Sequence, residues 1–160
     1  NPNGWDAESQ LFEFMLPDFA PSFVGSGVIE DRSRVLIAEE ESKADLDHLY
    51  KIRTESALKI EKLESRYGLE SELWYYNKKG EIIPYEEIYF KRDNQGKIIN
   101  YIACDTLEKD SHKKFTSCNS IFFRGGLYYR LTFNKQKYLE KWAILNKQAA
   151  EFIDGFAVSK

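Results

Sequence analysis

The sequence predicts a single α+β domain over residues 1–160, an antiparallel β-meander sheet with two amphipathic helices packed on one face. Three observations carry that expectation. Between Leu73 and Phe133 apolar residues recur mostly at every second position, the period of a strand with one buried side. Two other segments repeat them at intervals of three and four, the period of a one-sided helix. The composition suits a folded core, with 42% hydrophobic and 31% charged residues and an aromatic share of 15% that favours sheet. A chain of 160 residues is the size of one domain.

The opening "NPNGWDAES" is turn-rich. "LFEFMLP" then alternates Phe12, Phe14 and Leu16 as a strand that stops at Pro17, and "DFAPSFVGSG" reads as a loop. A second strand, Arg34 to Ala38, leads into the acidic run Glu39, Glu40 and Glu41. Ser42, with Asp45 in the first turn, predicts a helix start, where side-chain oxygens satisfy free backbone N–H groups and negative charge suits the dipole. The stripe Leu46, Leu49, Tyr50, Arg53, Ala57, Ile60, Leu63 and Tyr67 extends that helix to a stop at Gly68.

Three hairpins follow: "LWYY-NKKG-EII", "IYF-KRDNQGK-IINYIAC" and "SIFFR-GG-LYYRLTF". Gly125 and Gly126 supply the positive φ that a two-residue turn requires. That turn fixes a register in which Phe123 faces Tyr128 and Cys118 faces Phe133. Cys118, Phe122, Leu127, Tyr129, Leu131 and Phe133 then share the core face, and Asn119, Ile121, Phe123, Tyr128, Arg130 and Thr132 share the other. Asn134 predicts a second N-cap, followed by a helix with Tyr138, Trp142, Leu145, Ala149, Phe152 and Phe156 on its buried side and an end near Gly155.

The chain has two cysteines. Cys104 ends one strand and Cys118 begins the next, so adjacent antiparallel strands would bring them within bridging reach if both side chains point the same way. A disulfide is the expectation; the alternative is two reduced, partly buried thiols. Metal binding is not expected, because His112 between the cysteines and His48 far away do not make the closely spaced ligand pairs of a zinc site. There is no C-x-x-C, no P-loop and no dinucleotide fingerprint, so no cofactor is expected.

No catalytic residue stands out. "GSG" at Gly25 to Gly27 lacks the strand and helix setting of a nucleophile elbow. His48 beside Asp47 and Tyr50 reads as a surface histidine, and the alternative is a general base of a small hydrolase. The neighbouring carboxylates Glu39 to Glu41, Glu86 with Glu87, and Asp105 with Glu108 read as solvated surface, since acid–base chemistry needs two that face each other across a cleft.

The expected contact surface for a protein partner is Phe123, Tyr128 and Arg130 on the second hairpin face, with Glu39, Glu40 and Glu41 as an acidic patch. Aromatic residues beside arginine are enriched at interface hot spots. The alternative is that another strand pair or the N-terminal segment covers them. A net charge of −3 and a pI near 5.5 argue against nucleic acid as partner. The apolar runs are far shorter than the ~20 residues that span a bilayer. The first residue is Asn1, which leads us to expect that an upstream segment was removed, a cleaved export signal being one candidate.

The last third combines a cysteine, the aromatic hairpin "IFFRGGLYYRLTF", a helix with "YLEKWAIL" and a closing "FIDGF". This order, from Cys118 to Phe156, resembles the C-terminal region of bacterial immunity proteins that neutralise type VI secretion effectors, notably lipase-type toxins. The resemblance implies a non-enzymatic, periplasmic protein that binds a cognate toxin and blocks its active site or its activation. It transfers no interface residue, because such proteins meet their toxins through variable loops. Cytoplasmic location stays open beside it. So do two other functions: a small hydrolase using His48, and an envelope subunit that self-associates, as a homodimer for instance, through the open sheet face.

Overall fold

Strand alternation sends neighbouring residues of the central hairpins into two separate cores. In the computed structural model, which describes residues 9–21, 29–39, 43, 45–107 and 115–158, the strands are β1 Ser9–Met15, β2 Ala20–Pro21, β3 Arg32–Glu39, β4 Lys59–Arg66, β5 Leu69–Lys78, β6 Glu81–Arg92, β7 Ile98–Asp105, β8 Ser117–Arg124 and β9 Leu127–Asn134. The helices are α1 Leu46–Ser56, α2 Lys135–Tyr138 and α3 Trp142–Val158, with one 3-10 turn at Ile29–Asp31 before β3 and another at Leu139–Lys141 between α2 and α3. These strands form one sheet in the order β2-β1-β3-β9-β8-β7-β6-β5-β4, antiparallel throughout. From β4 to β9 it is an unbroken meander, and β3 returns to pair with β9.

The Gly125–Gly126 turn has both residues at positive φ, and it sets the expected register: Phe123 faces Tyr128 and Cys118 faces Phe133. On one side of the sheet Ile102, Cys104, Cys118, Phe122, Tyr129 and Leu131 pack under α3 with Leu145, Ala149 and Ile153. On the other side Trp74, Ile88, Phe90, Tyr101 and Ile121 pack under α1 with Leu46. The two helices therefore lie on opposite faces, which corrects the expectation that they share one. Tyr101 and Ile102 are consecutive, as are Ile121 and Phe122, so a two-residue period with both sides apolar needs a cover on each face.

The first helix is also shorter than expected. It ends at Ser56, and residues 59–66 form β4 instead. Ile60 and Leu63 fit a helical stripe, but in the sheet they pair with Trp74 and Ser71, and a register shift between Leu63 and Arg66 breaks the two-residue period that would have marked a strand. Gly68 forms a hairpin turn with Tyr67, both at positive φ, rather than a helix stop. Asp45 is the N-cap of α1, its carboxylate accepting from the His48 N–H at 2.7 Å; Ser42 lies outside the described residues.

Polar anchors seat α1. Its Asp47 carboxylate accepts from the Ile98 N–H at 3.2 Å, and Arg53 donates to Glu86 at 2.5 Å. The Tyr50 ring lies 5.3 Å from Phe90 and its hydroxyl donates to Glu72 at 2.9 Å. Burial, with the Glu72 carboxylate beside it, pushes the Tyr50 phenol up to about 12. At Ile99 the pairing with β6 skips a residue, which turns Ile98 onto the α1 side.

On the α3 side Asn134 caps α2 as expected, accepting from the Lys137 N–H at 2.9 Å. A 3-10 turn then interrupts the predicted continuous helix, and Gly155 lies inside α3 rather than at its end. Tyr138, Leu145 and Ala149 are buried, and Trp142 and Phe152 pack against the same core; the Phe156 side chain lies outside the described residues. Beneath α3 three buried side chains close a ring. Asn100 donates to Ser120 at 3.1 Å, Ser120 to Asn146 at 3.0 Å, and Asn146 back to Asn100 at 2.6 Å.

The disulfide forms as expected between Cys104 and Cys118, which face each other across β7 and β8 with no exposed surface. Two stability predictions follow from this face of the sheet. Asn146→Ala strands the polar atoms of Asn100 and Ser120 in the core, and it should lower unfolding free energy by about 1–3 kcal/mol in a urea titration; a wild-type midpoint would show the ring to be incidental. Reducing the disulfide reopens a loop with a sequence separation of 14, and the same titration with and without reductant should differ by about 3 kcal/mol.

Candidate functional site

Because α1 is only 11 residues long and sits over β7, it covers one half of its sheet face and leaves the other half open. On the open half β1, β3, β9 and the start of β8 form a cleft of about 610 Å³. The side chains that define it are Leu11 and Glu13 from β1, Arg34 and Leu36 from β3, and Arg130 and Thr132 from β9. Arg32, Ile29, Phe115 and Asn119 line it as well, and the Thr132 hydroxyl donates to the Asn119 side-chain oxygen at 2.7 Å.

The pairing register gives each charge its neighbours. Arg34 lies opposite Glu13 on β1, and the two make an exposed ion pair at 3.3 Å. Arg130 lies between Leu36 on β3 and Ile121 on β8, both apolar. Arg32 lies opposite Met15. Arg34 and Arg130 are diagonal neighbours, a spacing of roughly 7–8 Å between backbones. Where the cleft meets α1, the Lys43 ammonium sits 5.7 Å from the centre of the Tyr128 ring. The face thus carries a stripe of cations, Arg32, Arg34, Arg130 and Lys43, against two carboxylates, Glu13 and Glu30.

The expected contact residues fall in different places. Arg130 is exposed in the cleft. Phe123 and Tyr128 share its face, their rings 5.7 Å apart edge to face, but both are half-buried against the cluster under α1. Burial pushes the Tyr128 phenol up, and the charge of Arg130 opposes that shift. The cover over this pair is α1, not the strand pair or N-terminal segment named as the alternative. Glu39 ends β3 opposite Leu127, which alternation places on the α3 side, away from Arg130. Glu40 and Glu41 lie outside the described residues.

The groups considered for catalysis do not converge. His48 is exposed on the first turn of α1, and its neighbour Asp47 is engaged with the backbone of β7. Glu86 turns to Arg53 under α1, while Glu87 turns to Tyr89 and to Lys135, 2.6 Å away, on the opposite face. His112, Glu108 and the "GSG" segment lie outside the described residues. Among the described residues no three His, Cys, Asp or Glu side chains gather as metal ligands would, and no helix is long and apolar enough to cross a membrane.

Of the cleft cations the sequence reading contains only Arg130. Arg32 and Arg34 carried a signal, since in "RSRVLIA" they alternate with Ser33 and Val35 and must share a face. The pairing of β3 with β9, across about ninety residues of chain, was what no local pattern contained.

These positions separate structural from surface roles. Phe123→Ala opens the edge of the α1 core and should cost about 2 kcal/mol, below the range for a fully buried phenylalanine, whereas Arg130→Ala should stay within about 0.5 kcal/mol of wild type. Urea midpoints of the two variants decide it, and equal losses would mean that Arg130 is part of the packing.

No protein-family model matches the chain, and neither does any curated protein sequence. Among solved structures the chain is similar to Smlt3025, an immunity protein of the Stenotrophomonas maltophilia type IV secretion system, with a TM-score of 0.66 over 94% of this chain and 82% of that one. Sequence identity is 13%, so the likeness establishes a shared fold over nearly the whole length of the domain.

Proposed function

We propose that this protein is a non-enzymatic immunity protein that binds and neutralises a cognate secreted bacterial toxin in the periplasm. The observation that carries the reading is the fold held in common with a secretion-system immunity protein along almost the entire chain. Two further features support it. A buried disulfide joins the central strands, and such bridges persist in oxidising compartments such as the periplasm. Among the described residues nothing covers one half of a sheet face, which carries exposed arginines beside half-buried aromatic residues, the composition of protein contact surfaces.

The delivery route we assign is type VI secretion, on the resemblance of Cys118 to Phe156. The type IV system served by Smlt3025 makes that route the part of the proposal for experiment to decide. The contact surface we assign is Phe123, Tyr128 and Arg130, with the run Glu39, Glu40 and Glu41 that starts at the last residue of β3.

Affinity capture from the source organism, with mass spectrometry of whatever co-elutes, should return one dominant partner with toxin features in a stoichiometric complex. Co-expression should then suppress that toxin when this protein is exported to the periplasm and fail when it is held in the cytoplasm. A protein that captures no toxin, or that runs only as an oligomer of itself in sedimentation, would overturn the reading.

A further inference from the structure

We infer that the cleft between β1, β3 and β9 takes an acidic segment of the partner protein, with Arg32 and Arg130 as the groups that recognise its carboxylates; this rests on the proposed toxin-binding role. The argument is charge complementarity set by the register. Four cations line one half-face of a chain whose net charge is −3, so the positive field there is local and opposite in sign to the molecule as a whole. Glu13 neutralises Arg34 within the sheet. Arg130 has only Leu36 and Ile121 beside it across the strands, and Arg32 has Met15. Among the described residues neither Arg32 nor Arg130 makes an ion pair.

Arg34 lies two residues from Arg32 along β3 and diagonal to Arg130 on β9, so the three like charges form one row that carboxylates would neutralise. Each guanidinium presents a planar fork that matches a carboxylate with two hydrogen bonds. Leu11 and Leu36 meet across β1 and β3 level with Arg130 and give the segment an apolar strip to bury beside the cations, so a segment carrying both acidic and apolar side chains would fit. Nucleic acid suits the cleft less well. Glu13 and Glu30 would stand against a phosphate backbone, and no exposed aromatic row is present on β1 or β3 for bases to stack on.

The test is a titration of the oxidised, isotope-labelled full chain with a synthetic peptide alternating Glu and Leu, followed by amide chemical shifts. The Lys–Leu counterpart and a single-stranded oligonucleotide serve as comparison probes. The acidic peptide should shift amides of β1, β3 and β9, should bind about tenfold more weakly to the Arg32→Ala/Arg130→Ala variant, and should weaken as salt rises. Absence of shifts, shifts elsewhere, equal response to the Lys–Leu peptide or tighter binding of the oligonucleotide would each overturn the inference.

A second measurement keeps this failure apart from failure of the immunity reading. Toxin capture is compared between Arg32→Glu/Arg130→Glu and a control reversal, Lys59→Glu/Lys62→Glu, on the distant edge strand β4. Loss of capture in the first variant alone supports the cleft. Equal capture by both removes the cleft and leaves the immunity role standing, whereas peptide binding in the cleft with no toxin captured by the wild type removes the role.

Discussion

The constraint on which the rest of the molecule depends is that β7, β8 and β9 are apolar on both sides. Successive residues of these strands feed two different cores, so a one-residue slip of β8 would exchange Ile121 for Phe122 and place Ser120 in the wrong cluster. Three devices oppose such a slip. The Gly125–Gly126 turn fixes β8 against β9, the disulfide fixes β8 against β7, and the ring of Asn100, Ser120 and Asn146 joins both strands to α3. The ring is the most selective of the three, because its polar atoms are satisfied only when all three elements are in register.

From that constraint the open cleft follows. A sheet of nine strands has more face than two helical elements can cover. On one side α3 lies over the half containing β8 and β9, where β1 and β3 contribute Phe14 and Val35 to its core. On the other side α1 lies over β5 to β8, and its 11 residues do not reach β1 or β3. Uncovered there among the described residues, these strands carry charged side chains on that face and apolar ones on the other: Glu13 beside Phe14, and Arg34 beside Val35.

The parts legible in the sequence were those written in local code. The glycine turn, the two-residue period, the Asn134 cap and the cysteine pair each occupy a few adjacent residues, and each sits in the structure where its chemistry put it. The misreadings came where one local signal served two structures. Ile60 and Leu63 are three residues apart in a bulged edge strand as they would be in a helix, and a left-handed Gly68 ends a helix or closes a hairpin equally well. The side on which α1 packs was not local at all. It goes with the face that α3 covers, since the two apolar faces of the meander take one helix each.

The same reasoning explains why Arg130 was legible as a candidate contact while its companions were not. Its face could be assigned from the hairpin register alone, within the span of β8 and β9. Arg32 and Arg34 join it only because β3 pairs with β9, and that pairing is settled by what β3 carries on its other side, Val35 and Ile37, which complete the core beneath α3. The cations are thus brought together by apolar residues that point away from them. Since the buried residues position the strand and the exposed charges make only a solvent-exposed ion pair, the cleft surface can change its charge pattern while the fold stays fixed.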